Sequence, residues 1–137
     1  MPDLSVWFIR TAFVHFSIGI TAGTLIFLNK SFLIDHRLWT FLPVHIELLL
    51  AGWILNLVMG VAYWILPRLQ EGSLRGNEKI VWTAFILLNA GVLITAFGEL
   101  ALPDHSSMLI GRTMEFLAAP LFASQVWRRV YSIRDLV

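Results

Sequence analysis

Cysteine is absent from the 137 residues, which excludes disulfides, thiolate metal sites and covalent c-type haem attachment within the chain. Charge is scarce as well. Asp, Glu, Lys and Arg make up 14% of the residues and the net charge is +1, so no basic face exists for nucleic acid. There is no low-complexity tract and no length for a second domain. What remains is apolar: 58% of the residues are hydrophobic and the mean hydropathy is +0.75. A soluble domain of this size needs far more polar surface than this chain can supply.

The apolar residues fall into four blocks, residues 6–28, 41–66, 80–99 and 108–130, each near the ~20 residues that cross a bilayer. The first is not a cleavable signal. It is too long, carries Arg10 and His15, and ends in Asn29-Lys30 without a small-residue cleavage site. The expected fold is therefore all-α, a single four-transmembrane-helix bundle over residues 1–137 in the inner (cytoplasmic) membrane. Arg68, Arg75, Lys79, Arg128, Arg129 and Arg134 lie on one side, against Lys30 and Arg37 on the other. The positive-inside rule then puts both termini in the cytoplasm and His45 near the outer face, with His36, Glu99, Asp104, His105 and Arg112. Trp7, Trp39, Trp82 and Trp127 sit near block ends and read as interfacial anchors.

Short connections predict antiparallel neighbours. Gly19 and Gly23 form a small-xxx-small pair that suits either bundle packing or an oligomer seam. In the second block, LPVHIELLLAGWILNLVMGVAYWILPRL over residues 42–69, the positions His45, Leu49, Gly52, Asn56, Gly60 and Tyr63 recur at three- and four-residue steps. They form one helical stripe. Glycines and an amide on it point to a protein or cofactor neighbour, with Gly52 and Asn56 placed to receive a flat macrocycle; close helix packing explains the stripe equally well. Pro43 belongs in the first turn, where its missing N–H costs nothing. Pro120 lies inside the fourth helix and predicts a kink.

Ionisable residues inside a membrane are functional candidates by default. His15, near the middle of helix 1, suits a hydrogen bond to a neighbouring helix, or contact with a haem, a metal or a quinone. His45 suits a structural hydrogen bond or ligation of haem iron. Arg112 and Glu115 are three apart, which predicts an ion pair; Arg112 is also suited to a haem propionate. With Glu47 and Glu99 they make a cluster at the depth of His45. His15 and His45 differ in depth by ~15 Å at the helical rise, so one chain does not clamp a haem between them. Two copies of His45 share a depth across an axis normal to the membrane, which predicts a homo-oligomer, a dimer with the haem at its interface, if the iron is six-coordinate.

His45, Gly60 and the YWILP run at residues 63–67 carry a resemblance. The second helix resembles the second transmembrane helix of the catalytic subunit of haem–copper oxidases and their nitric oxide reductase relatives. That helix begins with a haem-ligating histidine, has glycine in its middle, and ends in an aromatic-apolar-Pro segment. The chain looks like one four-helix repeat of that subunit standing alone. The resemblance implies that His45 is the axial ligand of a b-type haem (protohaem IX), in electron transfer or in binding a diatomic gas, NO or O2. It departs from the family in holding no helix with two histidines and no histidine–tyrosine pair on one helix, so a complete haem–copper centre, and oxidase activity alone, are not expected. Partners beyond the bilayer and a second copy would be a quinone or other respiratory subunits. A different class stays open: a cofactor-free structural or assembly subunit of a respiratory complex, with a quinone or proton path through Glu47, Glu99 and Glu115 as a third reading.

Overall fold

The computed structural model describes residues 1–68, 75–101 and 106–130, with Glu99 and Ala101 by their backbone alone. Asp104, His105 and Arg134 lie outside the described residues. The order is α1 (Asp3–Phe32), a 3-10 turn (His36–Phe41), α2 (Leu42–Glu47), a π segment (Leu48–Leu55), α3 (Asn56–Ile65), α4 (Glu78–Ala101), α5 (Ser106–Val126) and a closing 3-10 turn (Trp127–Arg129). No β-strand occurs among the described residues. The chain is thus all-helical, with α2, the π segment and α3 running on as one rod.

Three helices are long and apolar enough to cross a membrane: Asp3–Phe32, His36–Ile65 and Glu78–Gly98. The fourth expected span, α5, has the length, 21 residues, but Arg112 and Glu115 dilute its apolarity. Large apolar side chains such as Phe13, Phe27, Leu50, Val58, Ile86 and Phe116 are exposed, as lipid-facing residues must be. Trp7, Trp39 and Trp127 are exposed near helix ends as expected, whereas Trp82 is half-buried with its ring edge-on to Phe85 at 5.6 Å.

Local chemistry sets the ends. Leu33 closes α1 in the left-handed region, φ 50°, with its N–H on the Asn29 carbonyl. Asn29 is buried and accepts the Asp35 N–H at 2.8 Å, and Asp35 in turn caps the 3-10 turn through the Arg37 N–H at 2.9 Å. Pro43 occupies the first turn of α2, as expected. α5 continues through Pro120 without interruption. Between α2 and α3 the sequence pattern gave no warning of the π segment. There the Gly52 carbonyl accepts the Asn56 side-chain amide at 2.7 Å, and the Asn56 backbone N–H goes to Trp53. π turns are rare and concentrate at functional sites.

Helices consecutive in the chain pack antiparallel. Gly60 faces Phe8 and Ser5, Gly52 faces His15, and Gly23 faces His45, so rising numbers on the second rod meet falling numbers on α1. Likewise Gly98 meets Ser107 and Gly91 meets Glu115 across α4 and α5. At one end of the bundle Phe8 contacts Phe85 at 4.9 Å and Phe122 at 6.1 Å, edge to face, a geometry aromatic quadrupoles favour. Arg129 seals that end. It is fully buried and donates to the carbonyls of Tyr63, Leu66 and Pro67 at 2.9, 2.6 and 2.9 Å, while its guanidinium lies 5.2 Å from the Tyr63 ring centroid. These are carbonyls at and just past the end of α3, where no further helical turn supplies an N–H. Arg129→Met is therefore expected to cost on the order of 2–4 kcal/mol, because bonds to a charged donor are lost and buried carbonyls orphaned. The exposed neighbour change Arg128→Met should leave thermal unfolding in detergent unchanged, and equal melting of the two variants would refute the sealing role.

Candidate functional site

The end of the bundle opposite Arg129 carries the ionisable residues, and the second rod sends them to two different faces. His45 turns to α1. Its Nδ1 lies 2.7 Å from the Gly19 carbonyl; a carbonyl only accepts, so Nδ1 carries the proton. The ring lies against Gly23, where a Cβ would overlap it. The close approach favours glycine at position 23, and the Gly19 carbonyl with the open side of Gly23 seats the imidazole within the bundle, while Leu49 fills the space at Gly19. His45 is half-buried and makes no second hydrogen bond among the described residues. In the neutral ring Nε2 then keeps a free lone pair, the form in which a histidine with an Nδ1–H···O=C bond ligates a metal.

His15 is 3% exposed and sits deeper, its ring filling the space over Gly52 with Nδ1 2.8 Å from where a Cβ would stand. Nδ1 lies beside the Gly52 backbone but outside hydrogen-bond geometry. The level of His15 and that of the His45 ring are about two helical turns apart, roughly 10 Å. The two histidines do not face a common centre.

The expected stripe divides. Gly52 and Gly60 face α1, where His15 and Phe8 occupy the room a macrocycle would need. Asn56 is fully buried and turns to α4, exchanging two hydrogen bonds with Asn89 at 3.2 and 3.0 Å. Both Gly52 and Asn56 are spent on neighbouring helices. The π segment lies between His45 and Asn56, and its i→i+5 bonding changes the phase that a uniform helical stripe assumes.

Glu47, two residues after His45, points the other way, to α4 and α5. It is 4% exposed and receives Arg112 Nη2 at 2.6 Å. Arg112 Nη1 donates to Glu115 at 2.9 Å, the ion pair the spacing predicts, and the Thr95 hydroxyl donates to the other Glu115 oxygen at 2.9 Å. One guanidinium thus serves two carboxylates from two helices. Glu47 was legible as a member of the layer; its direct bond to Arg112 needed the fold, since it joins residues far apart in the chain. Thr95 was missed altogether, because a threonine in an apolar helix carries no signal of its own. Arg112 and His45 lie on opposite faces of the rod, so the structure does not join them in one site. The side chain of Glu99 lies outside the description.

No group of three or more His, Asp or Glu among the described residues is placed to hold a metal ion. Comparison with protein families, curated proteins and solved structures finds no match to the chain in any of the three.

Gly23→Val is expected to force the imidazole off its seat and to cost about 1–3 kcal/mol, the usual penalty of overpacking. Thr24→Val, on the exposed side one residue along, should melt with the wild type. Coincident melting of Gly23→Val and wild type would show that His45 does not rest on Gly23.

Proposed function

We propose that the chain is a haem b-binding integral membrane protein of the cytoplasmic membrane, with both termini inside, related to subunit I of the haem–copper oxidases and acting in electron transfer or in binding NO or O2. The observation that carries this reading is the state of His45: Nδ1 donates to the Gly19 carbonyl at 2.7 Å and Nε2 is left with a lone pair at a half-buried edge of the helix seam. That donor chemistry fits an axial ligand of haem iron. His15, Gly52 and Asn56 are committed to helix contacts, so His45 is the residue that would hold the group. Arg112 already divides its guanidinium between Glu47 and Glu115, so a propionate would have to compete for it.

When bound, the haem supplies one-electron chemistry and a place for a diatomic gas. The chain's part is to fix the imidazole tautomer, hold the ring against Gly23 and present Nε2. Each chain offers one such nitrogen. Six-coordinate iron would then take His45 from two copies about an axis normal to the membrane, a homodimer suited to electron transfer; an open position suits gas binding. The asymmetric charge of the loops supports the orientation.

The second reading, a cofactor-free structural or assembly subunit of a respiratory complex, is favoured by a different observation. The glycines of α1 and the second rod are filled from the facing helix, as pure helix packing requires.

A visible spectrum of the detergent-purified protein, oxidised and dithionite-reduced, separates the two. Wild type is expected to show reduced b-type bands that His45→Ala lacks, and a carbon monoxide shift then distinguishes open from six-coordinate iron. A colourless wild type after expression with ample haem would contradict the haem reading and leave the structural subunit.

A further inference from the structure

The end of the bundle sealed by Arg129 carries more positive charge than the chain neutralises there. The buried Arg129 guanidinium is held by backbone carbonyls alone, and no carboxylate pairs with it among the described residues. A helix C-terminus offers roughly half a negative charge, so the cation is only partly offset. A second cation, Arg75, lies close enough to act on Arg129 and on Tyr63.

The neighbours of Arg75 fix its place. Gly76, at φ 83°, packs against the backbone of Gln125, and the Gln125 side-chain oxygen accepts the Asn77 N–H at 3.0 Å. The start of α4 is thereby tied to α5 one turn before Arg129. Arg75 itself makes no hydrogen bond or ion pair. Its Nε is buried without a partner, while the half-buried side chain leaves the two Nη groups accessible. A guanidinium keeps its charge at any physiological pH. The carboxylates at this end, Asp3 and Glu78, are exposed and pair with neither arginine.

Two like charges of which one is buried repel through a medium of low dielectric. An anion beside them removes that repulsion, and the fork of Arg75 suits the paired oxygens of a phosphate. The ends of three membrane-length helices meet here, at Asp3, Ile65 and Glu78, which is the level of the phosphate layer of a leaflet. Basic pockets between helices at that level suit anionic headgroups. We propose that Arg75, backed by the buried charge of Arg129, binds a phosphate group, carried by the headgroup of an anionic phospholipid or by free phosphate. The site lies at the opposite end of the bundle from His45 and does not depend on the haem reading.

Native mass spectrometry of the full chain in detergent, at physiological ionic strength, tests this by comparing retention of dioctanoyl phosphatidylglycerol with that of dioctanoyl phosphatidylcholine, whose choline cancels the phosphate charge. Wild type is expected to hold the glycerol lipid at least about tenfold more tightly, the worth of a bond between charged groups. Arg75→Gln should lose about tenfold while keeping the wild-type melting profile. Lys79→Gln, which removes an exposed cation at the same end, should lose no more than about twofold, because salt screens it. His45→Ala should retain the lipid as wild type does. Inorganic phosphate added at constant ionic strength identifies the source: displacement of the lipid means that free phosphate enters the site too, no displacement means that the headgroup alone does, and both uphold Arg75 as the ligand. Equal retention of the two lipids by wild type would overturn the proposal. So would unchanged retention in Arg75→Gln, or equal losses in Arg75→Gln and Lys79→Gln, the mark of a diffuse basic surface.

Discussion

The close approach of α1 to the second rod is the constraint on which the rest of the molecule depends, and glycine makes it. At Gly23 and Gly52 the missing Cβ is replaced by an imidazole from the other helix, His45 and His15 respectively. Each histidine thereby gains the packing of a large side chain; His15 is buried outright and His45 is half-buried. The Gly19 carbonyl does more than fill space: by accepting from Nδ1 of His45 it fixes the tautomer of the neutral ring. A helix carbonyl is already engaged in the backbone ladder, but its second lone pair is available to a side chain at this distance.

The same economy recurs at other depths. Water is absent from the hydrocarbon, so every polar side chain placed there must find its partner in the protein. Asn56 and Asn89 satisfy one another between the second rod and α4. Glu47, Arg112, Glu115 and Thr95 join the second rod, α5 and α4. Arg129 joins the end of α5 to the end of α3. These ties fix which helices are neighbours, while the apolar surface sets only that they are helices. The scheme is incomplete at Ser5 Oγ, His15 Nδ1, Glu47 Oε1, Trp53 Nε1 and Arg129 Nη1, which are buried without a hydrogen-bond partner.

Much of the fold was legible in the sequence. Apolar blocks and loop lengths give an all-helical antiparallel bundle, Pro43 starts the second rod, and the three-residue spacing of Arg112 and Glu115 gives their ion pair. The π segment was not legible, because LLLAGWIL has no proline and its distinguishing bond is made by a side chain, Asn56, to the Gly52 carbonyl. The division of the stripe follows from that and from the partners on α1 and α4, which are separated from it by long stretches of chain. Arg129 reads in the sequence as one more positive charge after the last span; only the folded chain brings it against the carbonyls of α3. His45 stands out in the sequence as an imidazole opening an apolar helix, but its bond to the Gly19 carbonyl and its place against Gly23 required the pairing of two helices.

The tautomer of His45 decides whether Nε2 is open to a ligand, and nitrogen-15 NMR of histidine-labelled protein without haem measures it directly, with the His45 signals identified by their loss in His45→Ala. A protonated, hydrogen-bonded Nδ1 and an unprotonated Nε2 are expected, and, for the haem binding proposed above, a change at Nε2 on addition of haem while Nδ1 keeps its proton. A proton on Nε2 in the haem-free protein would contradict it, since the nitrogen offered to the iron would then carry no lone pair.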